Sequence, residues 1–187
     1  MKNTMKRLLS LALIVLTLSI TVQLPTAQAA SVDGNSVAAI ANGEAQGTGG
    51  SKYRTWFYGY DRNVAWCAIF VSWCANQAGA SSAIPSSASV SVMRTRTLNN
   101  GGTVVSTPQA GDLVFYCNNA NGIWCHVGLM TGSRTSVQGN LRNQVLHVAK
   151  PQDYRLSGGS TAYTIQYVRP NYSNKIIDRS VVHCYRY

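Results

Sequence analysis

The sequence is short of acid. Asp33, Glu44, Asp61, Asp112, Asp153 and Asp178 are its only carboxylate side chains, against 16 lysines and arginines. No two of the six lie close together, so paired-carboxylate chemistry such as glycoside hydrolysis would have to draw on distant positions, and it is set aside. Charged residues make up 12% of the 187 positions, about half the usual share. Charge-driven disorder and a coiled coil are thereby excluded. Histidine is scarcer still, with only His126, His147 and His183. The CxxC spacing of common zinc sites is missing, so Cys117, Cys125 and His126 make a poor metal set. No metal and no organic cofactor is expected. The basic residues are scattered rather than clustered, which counts against nucleic-acid binding. There is no internal repeat.

One apolar run does occur, at the start. Lys2, Lys6 and Arg7 precede residues 8–22, which carry no charge, and Pro25 leads to Ala27-Gln28-Ala29. That is the layout of a secretory signal peptide, and the run is shorter than the ~20 residues a membrane-spanning helix needs. The expected organisation is a signal peptide at 1–29, a catalytic domain at 30–172 and a tail at 173–187. Cleavage after Ala29 removes three basic residues and lowers the net charge from +10 to +7. The product should be a secreted monomer, extracellular or associated with the wall, with no stable membrane insertion. Its charge favours anionic polymers.

Along the remaining chain, helical spacing at residues 36–44 is stopped by glycines, and an aromatic-rich segment, Tyr53 to Tyr60, follows. Residues 66–78 read as a buried helix and 92–98 as another. The period then changes to two. Strands are expected at 113–117, 123–130, 135–140, 144–149 and 163–168, with Asn118 to Gly122 turning the first pair into a hairpin. Helices first and an antiparallel sheet afterwards define an α+β class.

Five cysteines in an exported chain leave one unpaired. Cys67 opens the buried helix, where unpaired N–H groups and the positive end of the dipole favour a thiolate. Cys74 lies seven residues on, about 10 Å along the axis, too far for a bridge to Cys67. It reads as packing, or as a partner of Cys184. Cys117 and Cys125 flank the hairpin turn and are the expected disulfide. For the base, strand alternation puts His126, Gly128 and Met130 on one face, with Gly128 opening space for a substrate. His147 lacks that opening, and His183 sits in the tail. Gln138 and Asn140, two residues apart and so on one face of a strand, are the candidates to orient His126, since Cys-His sites work with a neutral amide. Trp66, Tyr58, Tyr60 and Trp124 are candidate walls of a substrate groove.

The blocks Gly49-Gly50-Ser51-Lys52-Tyr53 and Val64 to Gly79, with Trp66-Cys67-Ala68 and Phe70-Val71-Ser72-Trp73, resemble the N-terminal half of a CHAP domain. This is the cysteine, histidine-dependent amidohydrolase/peptidase family. Gly111-Asp112-Leu113-Val114-Phe115, His126-Val127-Gly128-Leu129, Gln138-Gly139-Asn140 and the segment 167–172 are similar to its later hallmarks. The resemblance implies a papain-like α+β fold and hydrolysis of amide bonds in bacterial peptidoglycan, by an N-acetylmuramoyl-L-alanine amidase or a peptide-bridge endopeptidase. It aligns Cys67 with the nucleophile, His126 with the base and Asn140 with a polar partner. Gln138 departs from it, because the family generally has an acid there. Two other readings are a wall-binding module with little or no activity and a secreted effector built on the same fold.

Overall fold

The computed structural model describes residues 32–47, 49–151 and 163–173. The expected signal peptide, residues 174–187 of the expected tail, His183 and Cys184 lie outside the described residues. Among the described residues four helices, α1 (Gly34–Glu44), α2 (Ser51–Tyr58), α3 (Cys67–Gln77) and α4 (Val90–Asn99), precede six strands. These are β1 (Thr103–Val105), β2 (Leu113–Asn118), β3 (Ile123–Met130), β4 (Thr135–Leu141), β5 (Gln144–Ala149) and β6 (Tyr163–Arg169). The α+β order expected from the periodicity is what the chain adopts, and it is consistent with a papain-like architecture.

The sheet runs β1-β6-β2-β3-β4-β5, every neighbouring pair antiparallel. On one face Leu113, Phe115, Val127, Leu129 and Val137 join the main core with the buried residues of α3. On the other, Val114, Tyr116 and Met130 form a smaller core under Tyr163, Ile165 and Tyr167. Residues 113–116 are therefore covered on both faces, which is why that strand reads as an unbroken apolar run rather than an alternating one. Helix α3 lies directly on β4. A Cβ on Gly139 would come within 2.6 Å of the Phe70 Cβ, so only glycine admits that approach.

Two elements lack a clear signal in the sequence. The aromatic segment folds as α2, closed by Gly59 at φ 81°. Only Tyr53 of its eight residues is buried, so there is no apolar stripe to read. Strand β1 is three residues long and held by its register with β6, Val104 opposite Val168. Asp112, buried at the start of β2, anchors the far end of β6 through Arg169, with contacts of 3.0 and 2.9 Å.

Candidate active site

Cys67 is the first residue of α3, and no side chain caps that helix. Its early N–H groups thus stay available to an anion. Main-chain groups of Val127, Ala68 and Cys67 itself favour the anion of its sulfur. Val127 adjoins His126 in β3, so the helix start meets the sheet where the expected base stands. The β3–β4 ladder contains two residue pairs, Leu129 with Val137 and Met130 with Ser136. Next to this short ladder the side chains of His126 and Gln138 meet.

There the Nε2 of His126 lies 2.9 Å from the Oε1 of Gln138. The amide nitrogen of Gln138 donates to the Tyr116 hydroxyl at 2.7 Å and to Ser136 Oγ at 3.0 Å. Tyr116 in turn donates to the carbonyl of Pro151 at 3.2 Å. With both amide hydrogens engaged, the Gln138 oxygen faces the ring and accepts from Nε2, which corresponds to the tautomer with its proton on Nε2 and none on Nδ1. Gln138 is fully buried, and His126 nearly so.

Gln138, not Asn140, therefore orients the histidine. Asn140 adopts φ 59° within the irregularity between Gln138 and Leu141, which removes it from the alternation expected to place both amides on one face. The opening expected beside Gly128 is filled as well. A Cβ there would lie 2.6 Å from Gln138 Cγ, so the glycine makes room for the orienting side chain rather than for a substrate. His147 is an exposed residue of β5, opposite Val137.

The expected groove walls divide. Trp66 is 1% exposed, so it is a core residue and not a wall. It stacks on Tyr53 at 5.3 Å and donates from Nε1 to Asn143 Oδ1 at 3.2 Å, fastening the start of α3 to the β4–β5 turn. Tyr53 is itself tied to Glu44 at 2.7 Å, which makes it a support of the site that the sequence did not reveal. Tyr58 is half-buried beneath Arg62, while Tyr60 is 59% exposed. Trp124 is half-buried against Phe115, with the Arg94 guanidinium 4.4 Å from its ring.

The disulfide expected between Cys117 and Cys125 is not formed, and both thiols are free. A register shift after Tyr116 sets Cys117 opposite Trp124 and leaves Cys125 as the extra residue of a bulge. Their sulfurs contact main-chain carbonyls instead, those of Asn118 and Tyr116. Cys74 is a buried free thiol in the main core. Among the described residues no group of three or more His, Cys, Asp or Glu side chains is placed to hold a metal ion, and no helix is long and apolar enough to cross a membrane.

Burial pushes the Cys67 thiol up to about 11, against the pull of those main-chain groups. Burial also drives His126 down to about 4, opposed by its bond to Gln138. At neutral pH the resting pair is a thiol and a neutral imidazole. A depressed histidine supports the fold above its ordinary value near 6.5, and that support is lost as pH falls toward 4. A raised cysteine supports it below about 9, and that support is lost as pH rises toward 11. Stability should therefore plateau between about pH 6.5 and 9, with roughly 3 kcal/mol lost on the acid side from His126 alone. Urea midpoints measured near pH 4.5, 7.5 and 10.5 check this. A higher midpoint at the acid end would contradict a buried neutral imidazole.

A cysteine at an open helix start and a histidine held by an amide thus stand on adjoining elements of an α+β fold consistent with the papain-like class. Residues 59–144 match the family model of the CHAP domain, and that segment contains Cys67, His126, Gln138 and Asn140. The match implies a hydrolase of cell-wall amide or peptide bonds. No curated protein matches the chain.

Proposed function

We propose that the protein is a secreted peptidoglycan hydrolase, an amidase or peptide-bridge endopeptidase, using Cys67 as nucleophile and His126 as base. The observation that carries this reading is Cys67 at an uncapped helix start, its anion favoured by main-chain groups of Val127, Ala68 and Cys67, with Val127 adjoining His126 in β3. Nδ1 of His126 takes the thiol proton as the sulfur attacks the amide carbonyl. The N–H groups at the helix start hold the oxyanion. The imidazolium then protonates the leaving amine. The neutral imidazole so formed removes a proton from a water molecule that attacks the thioester, and passes that proton to the departing sulfur, which regenerates the thiol. Tyr58, Tyr60 and Trp124 offer ring surface to the substrate, and the positive chain is drawn to anionic wall polymers.

Purified protein incubated with peptidoglycan should release muropeptides bearing a new amine. Mass spectrometry then distinguishes cleavage next to the muramoyl group from cleavage within a peptide bridge. Absence of any new amine-bearing fragment contradicts the hydrolase reading. A second reading, a wall-binding module of low turnover, is favoured by the neutral Gln138 in place of an acid. It predicts sedimentation with walls but no released fragments.

A further inference from the structure

We propose that Tyr116 is a positioning residue, whose hydroxyl sets the orientation of the Gln138 amide and thereby the tautomer in which His126 can accept a proton from Cys67. This rests on the hydrolase reading above. It follows from a problem particular to an amide. A carboxylate presents two equivalent oxygens to a histidine, whereas an amide presents oxygen on one side and NH2 on the other at nearly the same shape. Turned over, Gln138 would offer N–H to Nε2, which would then have to accept. The ring proton would move to Nδ1, the nitrogen that must be empty to take the thiol proton.

Something must keep the amide from turning. Ser136 does not, because a hydroxyl beside an amide can give or receive, and it lies 3.0 Å from the Gln138 nitrogen in either role. Tyr116 does. Its hydroxyl directs its hydrogen to the Pro151 carbonyl at 3.2 Å and so presents a lone pair to Gln138 at 2.7 Å. The turned amide would set its oxygen against that lone pair. The chain of donors runs one way, from His126 to Gln138 and from Gln138 to Tyr116 to Pro151. The Tyr116 ring is fully buried at 5.5 Å from the imidazole, so the hydroxyl has little freedom to leave this geometry.

The test is Tyr116→Phe, alone and combined with Gln138→Glu, with 15N NMR of the histidine ring beside steady-state kinetics on peptidoglycan. The wild type should show His126 protonated at Nε2. Tyr116→Phe should add a population protonated at Nδ1 and lower kcat about fivefold, as loss of one neutral hydrogen bond does, with KM unchanged. In the Gln138→Glu background there is no amide to orient, so Tyr116→Phe should cost much less than it does alone. Equal losses in the two backgrounds would overturn the proposal, because they would mark Tyr116 as packing only. A Tyr116→Phe protein that keeps the Nε2 proton and the wild-type kcat would overturn it too. The wild-type spectrum decides by itself if the single variant does not fold, since a resting Nδ1 proton is incompatible with the assignment. The ring spectra need no substrate, so a protein inactive on peptidoglycan would refute the hydrolase reading and leave this measurement intact.

Discussion

Cys67→Ala should lose turnover by a factor of roughly 10³ or more while keeping its fold, because no other group on the helix start can replace the attacking sulfur. Cys125 is free and exposed, but it sits in the β3 bulge and not at a helix N-terminus. Cys74 is sealed in the core, and burial holds its thiol well above the ordinary range. His126→Ala should be comparably inactive and also lose stability of about 1–3 kcal/mol, since Gln138 is left with a buried unpaired oxygen. His147→Ala is the control. It removes an exposed residue of β5, and surface changes of this kind move stability by about 0.5 kcal/mol at most. Clearing zones in gels cast with cell walls, read beside melting temperatures, separate these outcomes. Activity lost in His147→Ala at an unchanged melting temperature would show that the wrong base has been assigned.

Gln138→Glu is expected to raise activity about tenfold or more. The reactive thiolate–imidazolium form is rare because Cys67 titrates near 11 and His126 near 4. Every unit by which that gap closes multiplies the reactive form about tenfold. A carboxylate within hydrogen-bond range typically raises a histidine by roughly 1–3 units, through a charge-assisted bond about twice as strong as a neutral one. Ser136 stands where its hydroxyl can donate to the new carboxylate. Gln138→Ala should instead lower activity about tenfold, by leaving the His126 N–H unpaired in the core. Asn140→Ala should do less, because the bond to the imidazole comes from Gln138. Rates on purified peptidoglycan and the acid limb of the pH profile report on all three. A strong loss in Gln138→Glu with the fold intact would mean that the charge acts on something other than His126.

Much of this architecture was legible in the chain. The helix now seen at Cys67–Gln77 and the strands at Leu113–Asn118 and Ile123–Met130 follow from apolar runs whose lengths and flanking glycines distinguish helix from strand. Cys67 and His126 could be singled out because each has a local signature, a helix start in one case and a strand face beside a glycine in the other. What misled was space. Gly128 reads as an opening, yet only the fold shows that Gln138 fills it. Trp66 beside a nucleophile reads as a groove wall, yet its stacking on Tyr53 and its bond to Asn143 bury it.

The sequence by itself determined the class of the fold and singled out Cys67 and His126 as the proposed nucleophile and base, because periodicity and helix-end chemistry are local and each is written in neighbouring residues. It also placed Gln138 and Asn140 together but could not choose between them. That choice belongs to the tertiary structure, through the bulge after Gln138 that takes Asn140 out of the alternation. So does Tyr116, which lies 22 residues from Gln138 and reads as one more apolar strand position until β2, β3 and β4 lie side by side. The direction of a hydrogen-bond chain depends on which donors and acceptors meet across strands, and residues distant in the chain settle it only once the sheet has formed.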